Sequence, residues 1–248
     1  METPLLEVSQ LTGGYDVRRP VICDLTFHVH KNEIVGLIGM NGAGKSTTIK
    51  HILGLMEPTS GTITLKGKTL DDDPEAFRSR IAYIPETPQL YDELTLLEHL
   101  ELAAMAYGVE EKTFQKRSET LLDEFNMSKM KKWFPSTFSK GMQQKVMIMC
   151  ALLVQPQLLI VDEPFVGLDP LATHSLLNIF ENLKQSGTGI LMSTHILGTA
   201  QQYADHFVLL HDGDMKLRGT LSQMRKQAGM PQASLEEMFL HVVKDHAL

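Results

Sequence analysis

The chain has 248 residues, 43% of them hydrophobic and 21% charged, a composition that suits a folded globular protein and excludes collagen, coiled coil or disorder as a description of the whole. Its 23 Lys and Arg against 30 Asp and Glu leave a net charge of −7 and a pI near 5.8. A balance this acidic argues against wrapping nucleic acid, where cations must neutralise phosphates, and no polybasic segment is present to hold an anionic membrane directly.

No apolar run approaches the ~20 residues of a bilayer span. The amino terminus, Met1-Glu2-Thr3-Pro4, shows neither the basic nor the hydrophobic region of a signal peptide. Two cysteines, Cys23 and Cys150, without metal-ligand spacing, are expected to be packing thiols of a reduced, cytosolic protein.

Taken in chain order, residues 5–8 and 26–30 read as short strands, the second alternating apolar and polar. Residues 33–38 form an apolar run without alternation, which suits a strand of a parallel sheet covered on both faces. A Gly-rich loop follows, then a helical segment at 48–55, then a glycine-bounded strand at 61–67. From Leu94 the period changes: Leu97, Leu100, Ala104 and Tyr107, then Phe114, Leu121, Leu122 and Phe125, recur at helical spacing. Residues 89–135 are therefore expected to be an inserted helical subdomain between two parts of an α/β core, 1–88 and 136–219.

After the insertion, 146–154 reads as a buried helix, and 158–161, 188–192 and 206–210 as strands separated by helices. Residues 220–248 are expected to be a tail of two short helices broken at Gly229-Met230-Pro231. The pattern predicts an α/β fold built on a parallel sheet with an inserted helical subdomain.

Gly39-Met40-Asn41-Gly42-Ala43-Gly44-Lys45-Ser46-Thr47 satisfies the P-loop pattern and sits between a predicted strand and a predicted helix. Glycines let consecutive backbone N–H groups turn toward phosphate oxygens, and the following helix presents its positive end. Lys45 is expected to reach the terminal phosphates and Ser46 to ligate Mg²⁺. The run Leu158-Leu159-Ile160-Val161-Asp162-Glu163 supplies an acidic strand end. Two adjacent carboxylates there suit a metal ligand, Asp162, and a base that polarises water, Glu163. No Asn-Lys-x-Asp run for reading guanine is present, so ATP is expected rather than GTP.

Phe138-Ser139-Lys140-Gly141-Met142-Gln143-Gln144-Lys145 precedes that acidic strand end, and Gly167-Leu168-Asp169-Pro170 and Ser193-Thr194-His195 follow it. With the P-loop, this set resembles the ATP-binding-cassette (ABC) ATPases over nearly the whole chain. The resemblance implies a fold of the P-loop NTPase class, an ATPase core with an antiparallel β subdomain and a helical signature subdomain. It implies a head-to-tail homodimer in which Ser139 and Gly141 of one protomer complete the ATP site of the other. By the same resemblance Tyr15 stacks on adenine, His195 contacts the γ-phosphate, Asp169 couples the two sites, and Glu86 stands in the loop whose usual Gln reaches Mg²⁺. Read from the residues alone, Ser139 is a helix cap followed by an apolar-rich helix whose N-terminus favours an anion.

Glu86 in place of Gln, and Phe138 and Lys140 in place of the commoner Leu and Gly, depart from the family pattern. The fourteen methionines read as adaptable core filling. His28 and His30 share a strand face without a carboxylate cluster, so no structural metal site is expected. Lys129 to Lys132 reads as a solvated helix end, and the neighbouring Trp133-Phe134 as a candidate partner surface. The loop around Glu86, the signature run and the tail Leu235-Glu236-Glu237-Met238-Phe239-Leu240 resemble exporter-type ATPases of Gram-positive bacteria. The expected function is the ATPase subunit of an ABC exporter, with ATP and Mg²⁺, a separate transmembrane permease as partner, and a place at the cytoplasmic face of the membrane. The rivals are a soluble ABC ATPase of the iron–sulfur assembly kind and a non-catalytic regulator; Glu163 and His195 speak against the last.

Overall fold

The computed structural model describes residues 3–165 and 170–245. The described elements run β1 (Leu6–Gly13), β2 (Ile22–Val29), β3 (Ile34–Ile38), α1 (Lys45–Ile52), β4 (Ser60–Leu65), α2 (Pro74–Arg78), β5 (Ile81–Ile84), α3 (Leu96–Ala106), α4 (Glu111–Glu124) and α5 (Lys140–Leu153). The second half continues with β6 (Leu158–Asp162), α6 (Pro170–Gln185), β7 (Gly189–Thr194), α7 (Leu197–Tyr203), β8 (His206–His211), β9 (Asp214–Gly219), α8 (Leu221–Gln227) and α9 (Leu235–Asp245). One sheet takes the order β4-β1-β2-β9-β8-β3-β7-β6-β5.

Two physical regimes meet in that sheet. β8, β3, β7, β6 and β5 run parallel to one another. β3, β6 and β7 are buried at every position, as strands covered by helices on both faces must be. β1, β2 and β4 pair antiparallel, and β1 and β2 are only partly buried. The two parts meet where β2 pairs with β9 at Cys23 and Asp214.

The differences from the sequence reading have local causes. The strand expected at 5–8 continues to Gly13, because Gln10 takes φ 51° within a register shift and the ladder resumes beyond it. β2 begins at Ile22 and passes through Asp24 at φ 50°, a conformation that hides strand periodicity. β5 and β9 were not anticipated as strands; β5 is four residues long and β9 carries Lys and Arg. The first helix starts at Lys45 rather than at 48, directly on the glycine loop. Cys23 is exposed, so it is not the packing thiol expected, whereas Cys150 is half-buried against the helical core.

In the inserted region, Thr95 and Glu98 form a reciprocal capping box at the start of α3, which satisfies two of its otherwise unpaired groups. Leu96 and Leu97 donate their N–H groups to the carbonyls of Trp133 and Lys131 at 3.0 and 2.9 Å. The 129–132 run is solvated, but it ends the short 3₁₀ turn Ser128–Met130 rather than an α-helix, and its Lys131 carbonyl receives another helix's N-terminus. α3, α4 and α5 share a core with Ile84, Leu159 and Val161 of the sheet, so the insertion is welded to the strands that carry the site. α8 and α9 lie on either side of Gly229-Met230-Pro231, and α9 packs with α7 and β8 around Leu235 and Met238.

Candidate nucleotide site

The register of the parallel strands brings the scattered motifs to one edge. Ile38 at the end of β3 pairs with Thr194 of β7, and Asp162 at the end of β6 pairs with Ser193. The carboxyl ends of parallel strands are where open α/β sheets bind ligands. Here they carry the glycine loop, the paired carboxylates and His195.

Gly42 and Gly44 take φ of 86° and 105°, in the left-handed region that favours glycine. Gly39 is required for a different reason: a Cβ there would lie 2.6 Å from the Leu210 carbonyl oxygen. Gly44 caps α1 without any side-chain acceptor, so the N–H groups of the first turn remain available to an anion. Lys45 is buried, and its Nζ donates to the carbonyls of Gly39 at 2.9 Å and Met40 at 3.3 Å.

The same ammonium lies 3.1 Å from Glu163 Oε1, both side chains being more than nine-tenths buried. Glu163 Oε2 sits 2.9 Å from His195 Nδ1 and accepts from the His195 backbone N–H at 3.3 Å. Glu163 takes φ 47°, an uncommon backbone for a residue with a side chain. It is held there by its own N–H, which donates to Ser193 Oγ at 3.0 Å and to the Ser193 carbonyl at 3.2 Å. The Ser193 hydroxyl in turn donates to Asp162 Oδ1 at 2.5 Å. One serine therefore ties the two carboxylate residues together.

These groups face a cavity of about 430 Å³. Its lining includes Asn41, Gly42, Gly44, Lys45, Ser46 and Thr47 of the loop and α1, and Tyr15, Glu86, Glu163 and His195 from elsewhere. Gly39, Ala43 and Asp162 are not in that lining; Ala43 and Asp162 are buried. Ser139 and Gly141 are not in that lining. Ser139 caps α5, its exposed Oγ accepting from the Met142 N–H at 3.4 Å, and a Cβ on Gly141 would meet nothing within 4 Å. The expected role of Asp169 falls outside the described residues.

Tyr15 is 71% exposed at the mouth of the cavity. Lys50 donates to its hydroxyl at 3.0 Å, with Nζ 5.2 Å from the ring centroid. That hydrogen bond holds the phenol below its usual range. Behind Glu86, burial and then the nearby charges of Asp162 and Glu86 push the Tyr83 phenol up to about 12, so it remains a neutral neighbour of the acidic wall. Ser193 and Lys50 carry contacts that the sequence did not assign: Ser193 stood in a motif only as a neighbour of His195, and Lys50 fell unremarked inside the expected helix 48–55.

The ABC transporter family model matches residues 22–166, which include the glycine loop and both carboxylates. The chain belongs to the ABC transporter family. It is 58% identical over 98% of both chains to the ABC-type transporter ATP-binding protein EcsA of Bacillus subtilis (strain 168). It is 34% identical to the bacitracin transport ATP-binding protein BcrA of Enterococcus faecalis, over 90% of this chain and 71% of that one. A solved structure of an ATP-binding subunit of an ABC transporter superposes with a TM-score of 0.92 at 56% identity, covering 96% of this chain and 99% of the other. This ABC chain is an ATPase, the ATP-binding subunit of a membrane transporter. Among its described residues no helix is long and apolar enough to cross a membrane.

Proposed function

We propose that this ABC subunit hydrolyses ATP with Glu163 as the general base, and that it does so as a head-to-tail homodimer driving a separate transmembrane permease, in the direction of export. The observation that carries the catalytic reading is the position of Glu163 in the cavity wall, its two oxygens placed against Lys45 and His195. The glycine loop and the first turn of α1 bind the phosphates through backbone N–H groups and the Ser46 and Thr47 side chains. Glu163 accepts a proton from the attacking water as oxygen bonds to the γ-phosphorus. The bond from that phosphorus to the β–γ bridging oxygen breaks, and ADP leaves. His195, joined to Glu163, orients water and contacts the γ-phosphate. Lys45 neutralises charge on the departing group.

The donor set fits Mg²⁺, a hard cation that takes oxygen ligands and retains water. Ser46 and Glu86 line the cavity, Asp162 directly precedes the cavity-lining Glu163, and every donor is oxygen. Among the described residues no three His, Cys, Asp or Glu side chains form a self-sufficient metal site. The remaining ligands would therefore come from phosphate and water. Mg²⁺ would supply neutralisation of developing phosphate charge.

The dimer reading rests on Ser139, which caps α5, and Gly141 in its first turn, an exposed helix N-terminus outside the lining of this chain's own cavity, where a second copy's phosphates can reach it. The permease reading rests on the family and on EcsA and BcrA, named as transport proteins; such a partner would place the chain at the cytoplasmic face of the membrane. The export direction rests on the likeness of the Glu86 loop, the signature run and the tail at 235–240 to exporter-type ATPases.

Glu163→Gln tests the central assignment. ATP binding should persist while hydrolysis slows ~100-fold or more, the contribution of a positioned base. Hydrolysis at the native rate would remove Glu163 from the mechanism. The same variant, trapped with ATP and Mg²⁺ in detergent-solubilised membranes, should retain a polytopic membrane protein in stoichiometric amount.

A further inference from the structure

The last turn of α1 carries a second contact beside the Lys50–Tyr15 hydrogen bond. His51 is 3% exposed, and its Nδ1 lies 3.0 Å from the Met56 carbonyl oxygen. That nitrogen must hold the ring proton in order to donate. Nε2 is then a bare lone pair, and it is buried with no hydrogen-bond partner. Such a group calls for an explanation.

Its neighbour supplies one. A Cβ built on Gly13 would fall 2.4 Å from His51 Nε2 and 2.6 Å from Cε1. Gly13 does not take a positive φ, so glycine is needed there for closeness and not for backbone freedom. Gly13 is the last residue of β1, pairs with Ile22, and accepts from the Val21 N–H at 2.8 Å. Two residues later the chain presents Tyr15. The imidazole edge is therefore the floor on which the end of β1 rests, one residue along α1 from the lysine that holds the Tyr15 hydroxyl.

We propose that His51 is a positioning residue for the nucleobase. Its neutral ring sets the height of the Gly13-Gly14-Tyr15 turn above the helix that binds the phosphates. A single rigid element, α1, then fixes both ends of the ligand: Lys45, Ser46 and Thr47 hold the phosphates, while Lys50 and His51 hold the aromatic platform. What this arrangement selects is a polyphosphate bearing a planar base over a bare polyphosphate. The inference rests on the reading of Tyr15 as the stacking residue.

The test compares equilibrium binding of ATP with binding of inorganic tripolyphosphate to the full chain. Gly13→Ala drives a methyl into the His51 ring. It should weaken ATP roughly 10-fold, within the range of base–aromatic stacking, and leave tripolyphosphate unchanged. Adding His51→Ala to Gly13→Ala removes the clash and should recover most of the lost ATP affinity, a coupling that independent sites do not show. Equal losses for both ligands, or losses that simply add in the double variant, would overturn the proposal. Should Gly13→Ala fail to fold by thermal unfolding, His51→Ala alone carries the same comparison, with a smaller loss confined to ATP. Tyr15→Ala separates the two readings. If it leaves the preference for ATP over tripolyphosphate intact, the stacking reading fails; if it abolishes that preference while the Gly13 and His51 variants do not, only the role of His51 falls.

Discussion

Lys45 Nζ lies 3.1 Å from Glu163 Oε1, and neither side chain has meaningful access to water. The P-loop lysine and the carboxylate proposed as the base thus neutralise each other inside the cavity that both line. Burying two charges costs several kcal/mol each unless they are paired and hydrogen-bonded. Here the lysine also donates to two carbonyls, and the carboxylate also faces His195. A phosphate in the cavity would compete with Glu163 for the same ammonium, which links binding of the nucleotide to release of the base.

Breaking that pair from one side should therefore be costly. Lys45→Met should lower stability without nucleotide by about 3–5 kcal/mol, the range for leaving one buried charge uncompensated. Lys45→Met combined with Glu163→Gln should recover a large part of that loss, because the orphaned charge is gone. Chemical denaturation of Lys45→Met, Glu163→Gln and the double variant checks this. Additive losses would show that the pair contributes nothing as a pair.

Ser193 joins the two acidic residues, accepting from the Glu163 N–H and donating to Asp162. Ser193→Ala should leave a buried carboxylate oxygen and a strained backbone short of one partner each. A stability loss of about 1–3 kcal/mol follows from the unsatisfied groups. Because only the Ser193 carbonyl would then hold Glu163 at φ 47°, kcat should fall more than ATP affinity does. A change confined to KM would place Ser193 outside the catalytic arrangement.

How much of this was legible in the sequence depended on the type of signal. The glycine loop and the carboxylates Asp162 and Glu163 were readable as candidates because the glycine spacing and the acidic strand end are distinctive local patterns, and the structure brings them to one sheet edge; strand 33–38 was readable because continuous burial leaves no alternation. The expected helix at 48–55 began three residues late, since Lys45 and Ser46 read as loop chemistry although they form its first turn. β9 was hidden by Lys216 and Arg218, which sit on a partly exposed strand. Ser193 and His51 act through contacts 31 and 38 residues away in sequence, at Asp162 and Gly13, and local pattern holds no trace of such pairings.

The pH response follows from two histidines. Burial lowers the pKa of His51, and burial followed by neighbouring His30 lowers that of His28. Folding then disfavours the protonated rings, so the unfolded chain binds more protons. The stability involved is complete above the unfolded histidine value of ~6.5 and is lost as pH falls through the lowered folded values. The thermal midpoint should decline from about pH 7 to about pH 5.5, above the range where carboxylates titrate. His51→Leu should flatten that decline; an unchanged slope would assign it to other groups.

The proposed head-to-tail arrangement makes a prediction about mixtures that no single variant can make. Ser139 is exposed at the start of α5 and absent from the lining of its own chain's cavity. Ser139→Arg should therefore keep monomer ATP affinity while abolishing turnover, since an arginine at that cap would obstruct the partner's site. Lys45→Met should abolish turnover from the other side of the same interface. In a mixed dimer, the glycine loop of the Ser139→Arg chain faces the intact signature run of the Lys45→Met chain, which rebuilds one complete site. Two inactive preparations should then regain ATPase activity on mixing, with a maximum near equal amounts. If each site were completed within one chain, the mixture would stay inactive at every ratio, and loss of ATP binding by Ser139→Arg alone would point the same way.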